Sequence, residues 1–156
     1  MVQVLDVPRV IDPAINGFRL TTETGVPVST ADRTAQGTIY LAPFKSDRIA
    51  LFDGTAWVVR ETNEVSLALA SLTSGKNYDI FAYWTGSAVA LELSAAWTND
   101  TTRADAIARQ DGVWCKSGAL ARRLVGTIRT TGAATTEDSE GNRYVANADN
   151  LELRNL

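Results

Sequence analysis

The sequence predicts a mainly β domain of jelly-roll or β-sandwich type, with one short helix and an extended N-terminal arm. Three observations carry this expectation. Short apolar and β-branched runs such as "TIYLAP", "RIALF" and "AVALEL" recur along the chain and suit half-buried strands. Turn signals separate them at roughly 8–12-residue spacing, the rhythm of sandwiches and barrels. Only residues 98–112 have helical spacing. With 156 residues, the chain reads as one domain able to bury roughly 70% of its unfolded surface.

The elements follow in order. Residues 1–20 lack a period and carry Pro8, Pro13 and Gly17; they read as an extended arm, and residues 21–156 as the β domain. "TTETGVPVSTADRTAQ" is rich in threonine, serine and alanine, with turn signals at Gly25 and Pro27. Strand character begins at "GTIYLAPF" (37–44). "RIALF" and "TAWVVR" then flank Asp53-Gly54, a pair that favours a type I′ hairpin turn because both residues tolerate positive φ. Trp57 falls early in the return strand, where a large ring covers cross-strand neighbours.

"NEVSLALASLTSG" alternates Val65, Leu67 and Leu69 against Glu64, Ser66 and Ala68. "NYDIFAYW" (77–84) is a dense aromatic strand, "TGS" (85–87) a second hairpin signal, and "AVALEL" places Val89, Leu91 and Leu93 on one face. In "TNDTTRADAIARQDG" a threonine cap (Thr101 or Thr102), an apolar stripe of Ala104, Ile107 and Ala108, and the stop Asp111-Gly112 predict a helix near 101–110. "ARRLVGTIRTT" sets Leu124 and Ile128 against Arg123, Thr127 and Arg129. The polar remainder holds one more short strand at Tyr144-Val145.

The composition removes several chemistries. The chain has no histidine and a single cysteine, Cys115. That takes away the usual general base, the Ser-His and Cys-His pairs, and most ligands of a structural zinc. No phosphate-binding glycine loop, dinucleotide fingerprint, HExxH or GxSxG occurs. Scattered carboxylates single out no acid–base pair, so no catalysis, cofactor or metal is expected. Cys115, beside Val113 and Trp114, reads as an inert, buried or half-buried thiol. A net charge of −3 gives no reason to expect nucleic acid, and the C-terminal arginines lie among acids on a solvated face. The N-terminus has no signal-type apolar core, and no apolar run approaches a membrane span. Synthesis in a reducing cytoplasm, without export and without a membrane partner, is expected. Trp57, Trp84, Trp97 and Trp114 are candidates for a subunit interface or for stacking on sugar rings.

From about residue 18 to 145 the order of segments resembles a domain of tailed-bacteriophage virion structural proteins. The blocks are R-L-T, then G-x-P-V-x-x-x-D, T-I-Y-x-x-P and R-I-A-L-Y/F-D-G-x-x-W. They continue with "YDIFAYW", W-T-N-x-T-T-R-A, Q-D-G-V and "RRLVGTIRTTGAATTEDS". Such domains occur in tail fibres, head fibres and other virion parts. Relatives tend to close on an aromatic segment near K-R-F/Y-x-W-N-x-Y-N-R-V. Here "NRYVANADNLELRNL" keeps Arg143 and Tyr144, but Ala146 and Ala148 stand where bulky rings are expected.

The resemblance implies a virion structural protein rather than an enzyme. With no shaft ahead of the domain, the expected role is a capsid decoration or cement protein that stabilises the head; its partner would be the major capsid protein. The arm would bury Val4, Leu5, Val10 and Ile11 on neighbouring capsid subunits. The aromatic content and the three-fold axes of capsids point to a trimer. The alternative is a tail- or head-fibre tip module that binds a host-surface glycan.

Overall fold

The computed structural model describes residues 11–152. Among these the chain is all β, its thirteen strands paired antiparallel into sheets that pack as in a β-sandwich. The strands are β1 (Phe18–Thr21), β2 (Arg33–Gln36), β3 (Thr38–Pro43), β4 (Arg48–Phe52), β5 (Trp57–Glu61), β6 (Val65–Ala68) and β7 (Asn77–Trp84). They continue with β8 (Val89–Leu93), β9 (Ile107–Gln110), β10 (Val113–Lys116), β11 (Ala119–Gly132), β12 (Thr135–Asp138) and β13 (Val145–Asn147). One sheet has the order β1-β3-β6. A second is built on the long strand β11, which pairs with β7, β10, β12 and β13; β8, β9 and β2 extend it. The hairpin β4-β5 stands as a third.

The core lies between these sheets. Phe18, Leu20, Ile39, Leu41, Ile49 and Leu51 meet Tyr78, Ile80, Ala82, Leu91, Val125 and Ile128, all buried. Each such large side chain contributes about 1.5–3 kcal/mol by leaving water. Residues 15–20, expected in the arm, belong to this body: Phe18 and Leu20 are core residues of β1, and the amide of Ala50 donates to the carbonyl of Ile15. Of the arm residues, Val4, Leu5 and Val10 lie outside the described residues, and Ile11 is half-buried.

The helix expected near 101–110 is absent. Asn99 accepts from the amide and hydroxyl of Thr101, and the amide of Thr98 donates to the carbonyl of Thr102, closing a turn. Residues 107–110 then form β9, paired with β10. The two residues between them, Asp111 (φ 50°) and Gly112 (φ 85°), both sit in the left-handed region that a type I′ hairpin requires. What reads as a helix stop is a hairpin turn. The alanine-rich stripe lost to tertiary demands on this segment, because Arg103 and Asp105 are both held by distant partners.

At Asp53-Gly54 the expected type I′ turn is replaced by a four-residue loop. Phe52 pairs with Trp57, and only Gly54 has positive φ. The Asp53 carboxylate closes this loop by accepting from the amides of Thr55 and Ala56, which holds its pKa below the usual carboxylate range. Thr85-Gly86-Ser87-Ala88 repeats the design, with the Thr85 hydroxyl accepting from the amides of Ser87 and Ala88.

One irregularity in β11 decides which of its residues face the core. Leu124 pairs with Phe81 but Gly126 pairs with Ile80, so Val125 is an extra residue, a β-bulge. Arg123, Val125 and Ile128 therefore share the inner side, and Leu124 joins Thr127 outside. The expected grouping of Leu124 with Ile128 does not hold.

Candidate functional site

The outer face of β7 presents Asp79, Phe81 and Tyr83: Trp97 and Arg103 bond Asp79, Lys116 of β10 lies over the Phe81 ring, and Arg122 of β11 over the Tyr83 ring. Asp79 is fully buried, and a buried carboxylate needs partners for its oxygens. Oδ2 accepts from Trp97 Nε1 at 3.1 Å and from Arg103 Nε at 2.8 Å; Oδ1 accepts from the Thr127 hydroxyl at 2.7 Å. The Arg103 guanidinium also lies 4.5 Å from the centroid of the Trp97 ring. Three sequence blocks that carry the resemblance thus supply one node: Asp79 from "YDIFAYW", Trp97 and Arg103 from "WTNDTTRA", Thr127 from "GTIR". These residues hold the 95–107 segment onto the sheet, an architectural role.

A second node ties the ends of the described chain together. Arg123, 1% exposed, donates through its NH1 nitrogen to the carbonyls of Pro13, Ile15 and Ala50, and through NH2 to Asp149. Burial lowers its pKa, and Asp149 opposes that shift. Asp149 also accepts from Asn16, while the Asn150 amide donates to the carbonyls of Asn16 and Phe18. Residues 13–20 and 147–150 are interlocked. Sequence reasoning placed Arg123 on a solvated face and overlooked Asp79; a lone carboxylate inside the apolar run "NYDIFAYW" was the available signal for the latter. Cys115 is buried beside Arg123, and burial pushes its thiol up to about 11, which suits the inert reading.

The four tryptophans are not brought together. Trp57 packs on Phe52, ring centroids 5.5 Å apart, and donates to Asp111. Trp84 lies under Arg60 at 4.0 Å, and Trp97 belongs to the Asp79 node. Trp114 differs. It is 40% exposed, and its indole N–H makes no hydrogen bond among the described residues. Arg109, its cross-strand partner, lies 4.6 Å from the ring centroid. Trp114 walls an open groove of about 330 Å³ whose other residues include Arg103, Ile107, Leu124, Gly126, Ala146 and Ala148. The two alanines singled out in the sequence are what leaves this groove open. A separate, more apolar depression is lined by Phe52, Ala108, Leu120 and Ala121. Among the described residues, no three His, Cys, Asp or Glu side chains are grouped to hold a metal.

Comparison with protein-family models, with curated proteins and with solved structures found no match.

Proposed function

We propose that this chain is a structural protein of a tailed-bacteriophage virion, a decoration or cement protein that reinforces the head. The observation that carries the reading is the Asp79 node. The residues that make the sequence resemble virion domains are spent on mutual hydrogen bonds that rigidify the fold, as suits a part that must persist on a particle. The interlock around Arg123 adds to this, since it gives the segment ahead of Pro13 a fixed point of attachment. In this reading Val4, Leu5, Val10 and Ile11 dock on major capsid protein. Binding that favours the expanded shell stabilises it by mass action. The jelly-roll strand order and the trimeric state belong to the same proposal.

The test is co-sedimentation of purified protein with expanded, undecorated heads. The truncated control lacks residues 2–10 only, because Pro13 and Ile15 are bonded to Arg123 inside the body. Full-length protein should pellet with heads and the truncated form should stay in the supernatant. Full-length protein that ignores heads ends the head assignment. Truncated protein that still pellets removes residues 2–10, with Val4, Leu5 and Val10, as the anchor.

The second reading, a fibre-tip module for a host-surface glycan, is favoured by one observation, the exposed Trp114 beside an open groove. Adherence of the protein to host cells, lost after removal of their surface polysaccharide, is its test.

A further inference from the structure

We infer that the groove beside Trp114 is a binding site for an acidic saccharide, one whose pyranose ring carries a carboxylate. The inference rests on the glycan reading and names its site and ligand class.

Three features argue for it. First, Trp114 is held ready for stacking. Arg109 lies over the indole at 4.6 Å but does not itself line the groove, so the ring is braced from one side while it walls the cavity. The apolar C–H face of a pyranose packs on such a ring as an aliphatic surface does. A braced side chain loses little freedom when a ligand arrives. Trp114 also keeps an indole N–H with no hydrogen bond among the described residues, which a sugar hydroxyl can accept.

Second, the cation at the far side of the groove is fixed in place. Arg103 donates its Nε to buried Asp79, and its guanidinium carbon lies 4.5 Å from the centroid of the Trp97 ring. Its terminal nitrogens make no hydrogen bond among the described residues, and the side chain is 32% exposed. Asp79 sits behind the guanidinium, fully buried, and takes up part of its charge. Arg103 thus lines the groove anchored through Nε, with its two terminal nitrogens left as a pair of donors of the kind that suits a carboxylate. Among the described residues no carboxylate lines the groove, although acidic residues outnumber basic ones in the chain.

Third, the floor is small. Ala146, exposed and small, lets a ligand approach the β13 backbone. A protein partner is the competing occupant. The groove favours a sugar because its polar groups are few, fixed and convergent around a single stacking ring.

The experiment uses the full-length protein labelled with ¹⁵N and three probes: trigalacturonate, a hyaluronan tetrasaccharide, and neutral maltotriose. The indole N–H resonance that vanishes in W114F identifies Trp114. An acidic probe should shift that resonance with an affinity of about 1 mM or tighter, and maltotriose should bind at least about tenfold more weakly. Trp114→Ala, and separately Ala146→Trp to fill the groove from the other strand, should each weaken binding by about tenfold or more. Ala146 is exposed and pairs with Thr127 across β13 and β11, so the second variant fills the groove from the strand opposite and leaves the Trp114 side chain itself in place. Equal binding of all three probes overturns the acidic class. Binding of the host's own polysaccharide that both variants leave unchanged overturns this site while the glycan reading stands. Absence of any saccharide binding, including to host cells, overturns both. Protein contact with capsid subunits that Trp114→Ala abolishes would reassign the groove to a protein partner.

Discussion

Replacing Asp79 separates the contributions of its charge and its shape. In Asp79→Asn the amide can turn so that its oxygen still accepts from Trp97 and Arg103 while its NH₂ donates to Thr127, whose hydroxyl can accept instead. The geometry survives and the charge is lost. Hydrogen bonds to a charged group contribute about 1.5–3 kcal/mol each, neutral ones about 1. Arg103 is one-third exposed, so solvent screens part of the ion pair. The expected cost is about 1–2 kcal/mol. Asp79→Ala removes every acceptor and opens a hole behind Trp97; leaving partners of a buried charge unmet brings the cost to about 3–4 kcal/mol. For a chain of this size these figures correspond to Tm losses of about 2–8 °C and 6–16 °C. The assay is urea unfolding followed by tryptophan fluorescence, completed as a double-mutant cycle with Arg103→Met. If Arg103 acts through Asp79, the two should couple by about 1–2 kcal/mol. Equal costs for the Asn and Ala variants, or a coupling near zero, would refute the claim that this node holds the 95–107 segment.

Two further outcomes follow from local geometry. A Cβ at Gly126 would collide with the Ala146 carbonyl and lie 2.5 Å from a Leu20 methyl, so Gly126→Ala should cost about 2–3 kcal/mol. Gly141→Ala, with open space around it, should stay within about 0.5 kcal/mol; equal urea midpoints for the two would count against the β11-β13 packing. The Cys115 thiol, raised to about 11 by burial, is protonated throughout the neutral range, and its thiolate appears only as pH climbs toward that value. Native protein at about pH 8 should therefore resist a thiol reagent that labels the unfolded chain at once. Rapid stoichiometric labelling of the folded state would contradict the burial.

Much of the β framework was legible in the chain itself. Strands β3, β4, β5, β7 and β8 follow their alternating or aromatic runs closely, and Trp57 does pair across the hairpin with Phe52. These features depend on neighbours in sequence: alternation puts apolar groups on one side, and glycine or a short polar side chain closes each turn. The loops at 53–56 and 85–88 were legible as hairpins but not as to type, because an Asp or Thr oxygen that captures loop amides competes with the tighter turn.

Other features were set only by contacts between distant segments. Period-two reading carries one bit, inside or outside, and the extra residue Val125 inverts it midway along β11. That inversion turns Arg123 inward, where burial is tolerable because carbonyls of residues 13, 15 and 50 and the carboxylate of Asp149 meet it. The helical spacing of 101–110 was a true local preference, overridden because Asp79 holds Arg103 and the Ala95 amide donates to Asp105. The groove, too, needs two strands far apart in the chain: Trp114 supplies one wall, while Ala146 leaves the space opposite unfilled. Local propensity is worth tenths of a kcal/mol per residue, whereas a buried charge left without partners costs several. Where the two conflicted, the long-range partners of buried charge prevailed.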